Sequence, residues 1–240
     1  MLNIERVEVV GWEAAIRGMR NPMNSWDKSD SGFEFVEDPS PINPNDELMF
    51  VVGENDLDLM KRLRAAGTDH GKFMRMITVY LDITAPLYWW KEFDTYKVGT
   101  VANSCSTMHK ITDKEFTFDD FSHEKLINSA CMEIQEQHIT WSPMQVLATT
   151  ITCLNAYRDL YLKTGDKKYW WQLIQLLPSS YNQKRTVMLN YEVLANIYKS
   201  RRNHKLDEWR IFCRWIESLP YADIITGKRD KMTRLEDDEE

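Results

Sequence analysis

A chain of 240 residues with 43% hydrophobic and 12% aromatic residues can bury one sizeable core, which excludes an intrinsically disordered protein. The formal net charge of −7 argues against general DNA coating, although a single nucleotide needs only a few placed cations. The four cysteines lack zinc or C-x-x-C spacing, and neither a signal peptide nor a membrane span is recognisable. We therefore expect a soluble, cytoplasmic protein that binds neither DNA nor membrane.

The first third of the chain predicts short elements around one long loop. Residues 4–10 can form a strand, and Trp12–Arg20 has the pattern of a short helix. Residues 21–46 are rich in Pro, Asn, Asp and Ser and predict a long loop, which is either a binding lid or a surface excursion. Residues 54–66 carry apolar side chains on one helical face, and Gly67 is a plausible stop.

The stretch from Met76 to Thr84 has the clearest strand signal. Apolar residues at 77, 79, 81 and 83 alternate with polar or aromatic ones, which is typical of a half-buried strand. Pro86 follows and fits the first turn of a helix that runs to about Tyr96.

The second half of the chain is mostly helical. Ser142 and Pro143 form an N-cap and N1 pair, Gly165 ends that helix, and residues 184–190 are β-prone. The other predicted helices are 122–138, a short one from Asp166 to Leu177, Tyr191 to about Arg202, and Leu206 to Leu219. These elements indicate one α/β domain over residues 1–228, followed by an acidic tail at 229–240 that we expect to be disordered.

A polar stretch follows the helix that begins near Pro86. Thr95, Tyr96 and Lys97 stand at the predicted helix end, and Gly99 lets the chain turn before the Ser/Thr-rich residues 103–107. Hydroxyl and amide groups beside one lysine suit a phosphate, which needs donors more than bulk charge. The alternative is a helix C-terminus capped by Lys97 and followed by an ordinary polar loop.

A second polar set lies on the helix from residue 191. At about 100° of rotation per residue, Asn190 and Arg201 fall near one helical face and Asn196 on the opposite side. The amides could contact a nucleobase or flavin edge, and Arg201 could stabilise negative charge on a ligand. His204 could contact the same ligand. Alternatively, Asn190 is a helix cap and the basic residues cover a helix end.

Other chemistry has little support in the sequence. Cys105 could be a nucleophile with His109 four residues away, but one neighbour does not make a dyad, and a loop cysteine is the favoured interpretation. No glycine-rich dinucleotide-binding motif and no P-loop motif occurs.

In order and spacing, the two polar stretches resemble the flavin-dependent thymidylate synthase (ThyX) family. That family has an Ala-Pro, a helix that ends in Arg-His-Arg, and a serine after seven further residues. Here Ala85-Pro86 precedes the helix, and Thr95-Tyr96-Lys97 stands at the Arg-His-Arg position, with Cys105 seven residues on. The family's later Leu-Pro, Asn, Leu-x-Asn and Arg correspond to Leu177-Pro178, Asn190, Leu194-Ala195-Asn196 and Arg201.

The resemblance implies a mixed α/β (α+β) fold, with a small sheet and a helical bundle, that forms a homotetramer with sites between subunits. It implies methylation of dUMP to dTMP with methylenetetrahydrofolate, FAD and NADPH, with Arg201 as the catalytic residue. The implied nucleotide contacts are Arg201, Lys97, Ser104, Cys105 and Ser106. The implied flavin contacts are Thr95, Tyr96, Lys97, Asn190, Asn196 and His204.

The changed signature leaves two alternatives open. Thr95 and Tyr96 differ in kind from the family's residues, and Lys97 lacks the planar fork of an arginine. The same scaffold could therefore carry out another one-carbon reaction on a pyrimidine nucleotide. It could also be a non-catalytic nucleotide-binding or assembly protein that has lost flavin.

Overall fold

The computed structural model describes residues 2–36, 47–129 and 141–227. The helices of these residues are α1 (Trp12–Arg20), α2 (Glu54–Ala65), α3 (Leu87–Phe93), α4 (Thr107–Lys110), α5 (Pro143–Thr164), α6 (Lys167–Leu176), α7 (Tyr191–Arg201), α8 (Asp207–Glu217) and α9 (Asp223–Thr226). The strands are β1 (Asn3–Val10), β2 (Gly32–Val36), β3 (Glu47–Val51), β4 (Thr78–Pro86), β5 (Val101–Ser104) and β6 (Asn182–Asn190). The predicted mixed α/β class is confirmed. Among the described residues, no helix is long and apolar enough to cross a membrane.

The strands form one four-stranded sheet, in the order β1-β4-β6-β5, and the antiparallel pair β2-β3. Val79, Leu81 and Ile83 are buried on inner strand β4, as the alternation predicts. Asp82 on the same strand is buried as well, and its carboxylate accepts a hydrogen bond from the Thr186 hydroxyl at 2.6 Å. A buried polar group of this kind needs such a partner.

By its internal contacts the chain divides into two units, each assembled from several segments. Unit 1 comprises Met1–Glu5, Asp82–Thr95 and Ala102–Val187. Unit 2 comprises Arg6–Leu81, Tyr96–Val101 and Met188–Glu240. The single domain expected over residues 1–228 stays a prediction.

Unit 1 has a core built around the long helix α5. Ser142 caps this helix in a capping box with Gln145, Pro143 occupies its first turn, and Gly165 ends it at φ 67°, so the predicted bounds are confirmed. The core cluster consists of Ile111, Phe116, Phe121, Leu147, Ile151, Leu154 and Leu173.

Unit 2 packs amphipathic helices through large aromatic side chains. Helix α8 buries Trp209, Phe212, Cys213 and Ile216, which recur at the three- and four-residue spacing of one helical face. The Trp12 ring of α1 meets Tyr191 edge-on, with ring centroids 5.3 Å apart. This packing fixes α7, which carries the second polar set.

The predicted helix at 122–138 is wrong over the residues described. Residues 122–129 form turns and bends, and residues 130–138 lie outside the described part of the chain. The main-chain N–H of Ser122 donates to Ser180 at 2.8 Å, and Phe121 forms a β-bridge with Tyr181. Pairing with a distant segment therefore overrides the local helical pattern.

Two other predicted bounds differ from the structure, and one strand was not predicted. Helix α3 ends at Phe93 rather than near Tyr96, and Pro86 belongs to the end of β4. Strand β5 was not predicted. The first part of the predicted 21–46 loop contains two 3-10 turns and β2, whereas residues 37–46 and the acidic tail at 229–240 lie outside the described residues.

Candidate functional site

The two polar stretches meet within unit 2. The Nε of Arg201 donates a hydrogen bond to the Tyr96 hydroxyl at 2.9 Å, across a sequence separation of 105 residues. Gly99 approaches the start of α7 so closely that a Cβ there would lie 3.0 Å from Asn190 Nδ2 and 3.1 Å from Val193. The φ angle of Gly99 is +75°, which favours glycine. The segment Tyr96–Val101 therefore lies against α7.

Aromatic rings hold the guanidinium of Arg201. Its central carbon lies 4.8 Å from the centroid of a Trp209 ring and 5.7 Å from that of Tyr96. The rings of Tyr96 and Trp209 are themselves 6.0 Å apart, and Trp209 is fully buried. Cation–π contact at these distances orients the planar guanidinium. Arg201 is thus a half-buried, oriented cation.

His204 lies at the edge of the same cluster. Its ring centroid is 6.4 Å from that of Trp209, and its Nδ1 accepts a hydrogen bond from the Leu206 N–H at 3.2 Å. The His204 ring therefore lies beside Trp209 with its Nδ1 engaged by the main chain.

Local sequence rules place Arg201 in the last turn of α7. The Asn190 side chain accepts a hydrogen bond from the Val193 N–H at 3.0 Å, so the cap predicted as one alternative is confirmed. Arg201 lies eleven residues on, where a cation interacts favourably with the helix dipole. The short turn that follows leads into α8 and Trp209.

The remaining predicted residues of unit 2 are more exposed. Lys97 is exposed on the segment next to Tyr96, and Asn196 is exposed on α7. Asn190 is half-buried, and its carbonyl oxygen is engaged in the helix cap. Its amide nitrogen is the atom nearest to Gly99.

Unit 1 holds the other predicted residues of the first stretch. The Thr95 hydroxyl donates to the Glu92 carbonyl at 2.7 Å, and the Ser106 hydroxyl caps α4 by accepting from the His109 N–H at 3.1 Å. Ser104 ends β5, and both it and Cys105 are exposed. The hydroxyls of Thr95 and Ser106 therefore each serve a local helix end.

Two residues that the sequence did not single out make well-defined contacts, Trp209 in unit 2 and Arg185 in unit 1. The Trp209 ring packs against the Arg201 guanidinium. The three- and four-residue spacing of apolar residues in α8 could have predicted that Trp209 is buried. Arg185 lies on the same face of β6 as buried Val187 and Leu189. An arginine at an inward position of a strand needs hydrogen-bond partners, so the alternation could have predicted that Arg185 is engaged by other residues.

No protein-family profile and no curated protein matches the chain by sequence. Comparison with solved structures places its fold in the thymidylate synthase X class. Thymidylate Synthase X (ThyX) from Helicobacter pylori, solved with FAD and dUMP, matches 93% of this chain and 96% of its own, with a TM-score of 0.61 and 14% identity. The UMP/dUMP methylase PolB from Streptomyces cacaoi, solved with 5-Br dUMP, matches 95% of both chains, with a TM-score of 0.60 and 13% identity. The predicted resemblance is confirmed at the level of the fold.

Proposed function

We propose that this chain is a ThyX-like enzyme that binds dUMP and methylates it to dTMP, with FAD bound and with methylenetetrahydrofolate and NADPH as co-substrates. The observation that carries the proposal is the oriented cation Arg201, between Tyr96 and Trp209, in this fold. Structures that share the fold contain dUMP or 5-bromo analogues of UMP and dUMP.

Arg201 binds the pyrimidine and polarises it. A guanidinium carries a positive charge and presents planar N–H donors that match a ring carbonyl. Arg201 is half-buried beside fully buried Trp209, so water screens its charge less than that of a fully exposed side chain. It therefore stabilises negative charge that develops on a ring oxygen as the pyrimidine reacts.

Side chains of unit 2 supply hydrogen-bond donors of the kind that a flavin ring needs. Exposed Asn196 has both an amide donor and an acceptor, Asn190 has an amide nitrogen as a further donor, and the His204 ring lies beside Trp209. Flavin, when bound, supplies the hydride that completes the methyl group. We assign these three side chains, with Thr95, Tyr96 and Lys97, to holding FAD.

The phosphate of dUMP is assigned to Lys97 and the loop residues Ser104, Cys105 and Ser106. All four are exposed, and the hydroxyls and the ammonium supply the donors that a phosphate needs. Cys105 is a contact residue here and not a nucleophile. The active form is proposed to be a homotetramer.

Nucleotide titration tests the role of Arg201. Calorimetry with dUMP compares wild type, Arg201→Ala and the matched control Arg202→Ala, because Arg202 is exposed at the end of the same helix. We expect about a 10- to 100-fold loss of affinity for Arg201→Ala alone, as for a lost charged hydrogen bond. Equal affinity of all three proteins would refute the assignment.

Flavin binding is tested separately, by visible absorption spectra of the protein with added FAD, recorded before and after addition of dUMP.

A second candidate is another one-carbon reaction on a pyrimidine nucleotide. It is favoured by the similarity to PolB, whose TM-score nearly equals that of the Helicobacter pylori synthase. A product screen with UMP and dUMP as competing substrates separates the two reactions. The non-catalytic alternative, suggested by Thr95 and Tyr96, predicts a colourless protein that leaves NADPH unoxidised when FAD is added.

A further inference from the structure

Strand β6 carries a guanidinium that is nearly enclosed by protein. The side chain of Arg185 is only 15% exposed. Its guanidinium lies over the fully buried Trp90, with 4.2 Å between the central carbon and the ring centroid. Nε donates to Gln183 Oε1 at 3.0 Å, and Nη1 donates to Asp94 Oδ1 at 2.7 Å. A charge so little hydrated is stable only with such partners.

Gln183 extends this network in the other direction. Its amide nitrogen donates to the Cys105 carbonyl and to the Thr107 hydroxyl, both at 3.0 Å. Its main-chain carbonyl accepts from the Trp90 indole N–H at 2.9 Å. The Cys105 N–H donates to the Lys184 carbonyl at 2.9 Å, which fixes the loop to β6 through the main chain as well.

These contacts join the two ends of one functional segment. Asp94 directly precedes Thr95-Tyr96-Lys97, whereas Cys105 and Thr107 flank Ser106. Every residue that the first polar stretch contributes to the proposed site therefore lies between or at the contact points. Holding the two ends of such a segment together costs chain entropy. Hydrogen bonds from side chains on one strand, β6, offset this cost.

We propose that Arg185 and Gln183 are positioning residues. Their hydrogen bonds hold both ends of residues 94–107, an arrangement that we call the clasp, and so set the conformation in which Tyr96 and Lys97 contact the nucleotide. The catalytic consequence rests on the proposed function, whereas the clasp itself does not. Lysine at position 185 could pair with Asp94, but it lacks the planar fork that contacts Gln183 at the same time.

Hydrogen exchange of the full chain without ligand tests the clasp. Arg185→Met keeps an apolar stem over Trp90 and removes the N–H donors. Lys184→Met is the matched control, because Lys184 is the next residue on β6 and pairs with Glu5 and Asp82 outside the clasp. We expect at least about a tenfold faster exchange of residues 95–106 in Arg185→Met, little change there in Lys184→Met, and unchanged exchange of α5 in both.

Two results would overturn the clasp. One is unchanged exchange of residues 95–106 in Arg185→Met, and the other is equal acceleration in that segment and in α5, which would mark Arg185 as a general stability residue. Titration with dUMP adds an independent readout, with an expected loss of about tenfold in affinity for Arg185→Met and partial recovery in Arg185→Lys. If wild type binds no pyrimidine nucleotide, the proposed function fails, while the exchange comparison still decides the clasp.

Discussion

The Tyr96 hydroxyl accepts a hydrogen bond from Arg201 Nε at 2.9 Å. Arg201 belongs to the last turn of α7, and Tyr96 lies three residues after the end of α3, so the bond joins two distant parts of the chain. A hydroxyl that accepts from a guanidinium still has its own proton to donate. The pair therefore combines a fixed cation with a hydrogen-bond donor next to it.

Removing the Tyr96 hydroxyl should weaken nucleotide binding. In Tyr96→Phe the ring contacts with Arg201 and Trp209 remain while the hydrogen bond is lost, and we expect about a 3- to 10-fold higher Kd for dUMP. Tyr96→Ala should have the larger effect because it also removes the cation–π contact. Tyr80→Phe, at an exposed position, is the control for titration calorimetry. An unchanged Kd in Tyr96→Phe would show that the hydroxyl does not orient Arg201.

A side chain at Gly99 should distort the site. Gly99→Ala forces a Cβ to within 3.0 Å of Asn190 Nδ2 at φ +75°, and we expect a loss of about 1–2 kcal/mol in unfolding free energy. Gly165→Ala separates the effect of the positive φ angle from that of the close contact, because Gly165 has φ +67° but nothing within 4 Å of an added Cβ. Urea unfolding should show a smaller loss for Gly165→Ala. Only Gly99→Ala should also reduce dUMP affinity, and equal affinity in both variants would contradict the placement of this segment.

The buried carboxylate of Asp56 should make stability depend on acid pH. Burial alone raises the pKa of Asp56, but hydrogen bonds from Ser29, Ser31 and Arg20 outweigh it and hold the pKa below the ordinary value of 3.8. A lowered folded-state pKa contributes stability that is present above the unfolded-state value and is lost as pH falls through the folded-state value.

Asp56→Asn should therefore lower the unfolding free energy by about 3 kcal/mol at neutral pH, because Arg20 would lose its charged partner. The difference from wild type should persist down to about pH 4 and shrink below it. Urea titrations over this range measure it, and Asp58→Asn, in an exposed pair with Arg62, is the control. A difference that disappears well above pH 4 would contradict a lowered pKa.

The thiols should differ sharply in reactivity. Burial raises the pKa of the Cys213 thiol to about 11, whereas Cys105 is exposed. Iodoacetamide at about pH 8 should label Cys105 and spare Cys213, as read by peptide mass spectrometry. Cys105→Ser should keep any dTMP synthesis, since the proposed chemistry uses no cysteine nucleophile. Loss of turnover with intact dUMP binding would restore Cys105 as a nucleophile.

Elements specified by local chemistry were predictable from the sequence. The alternation in β4, the Ser142-Pro143 start of α5 and the Asn190 cap all depend on neighbouring residues. The helix expected after residue 122 was wrong because its first residues pair with the chain near Tyr181, about 60 positions away. Local propensity carries no information on such a partner.

The site was predictable only in outline. Order and spacing indicated the two polar stretches, but the contact of Tyr96 with Arg201 depends on side chains 105 residues apart. Arg185 was missed for the same reason, since a strand sequence shows an inward arginine without showing Asp94 and Gln183 around it. Periodicity indicates which face is buried, and tertiary packing decides what meets there.

Product analysis with dUMP tests the central claim most directly. The purified protein is incubated with dUMP, methylenetetrahydrofolate, FAD and NADPH, and the nucleotides are separated and identified by mass spectrometry. We predict dTMP that depends on FAD, is abolished in Arg201→Ala and persists in Arg202→Ala. A wild-type protein that binds FAD and dUMP but leaves dUMP unmethylated, or that takes up neither, would contradict the proposed thymidylate synthesis.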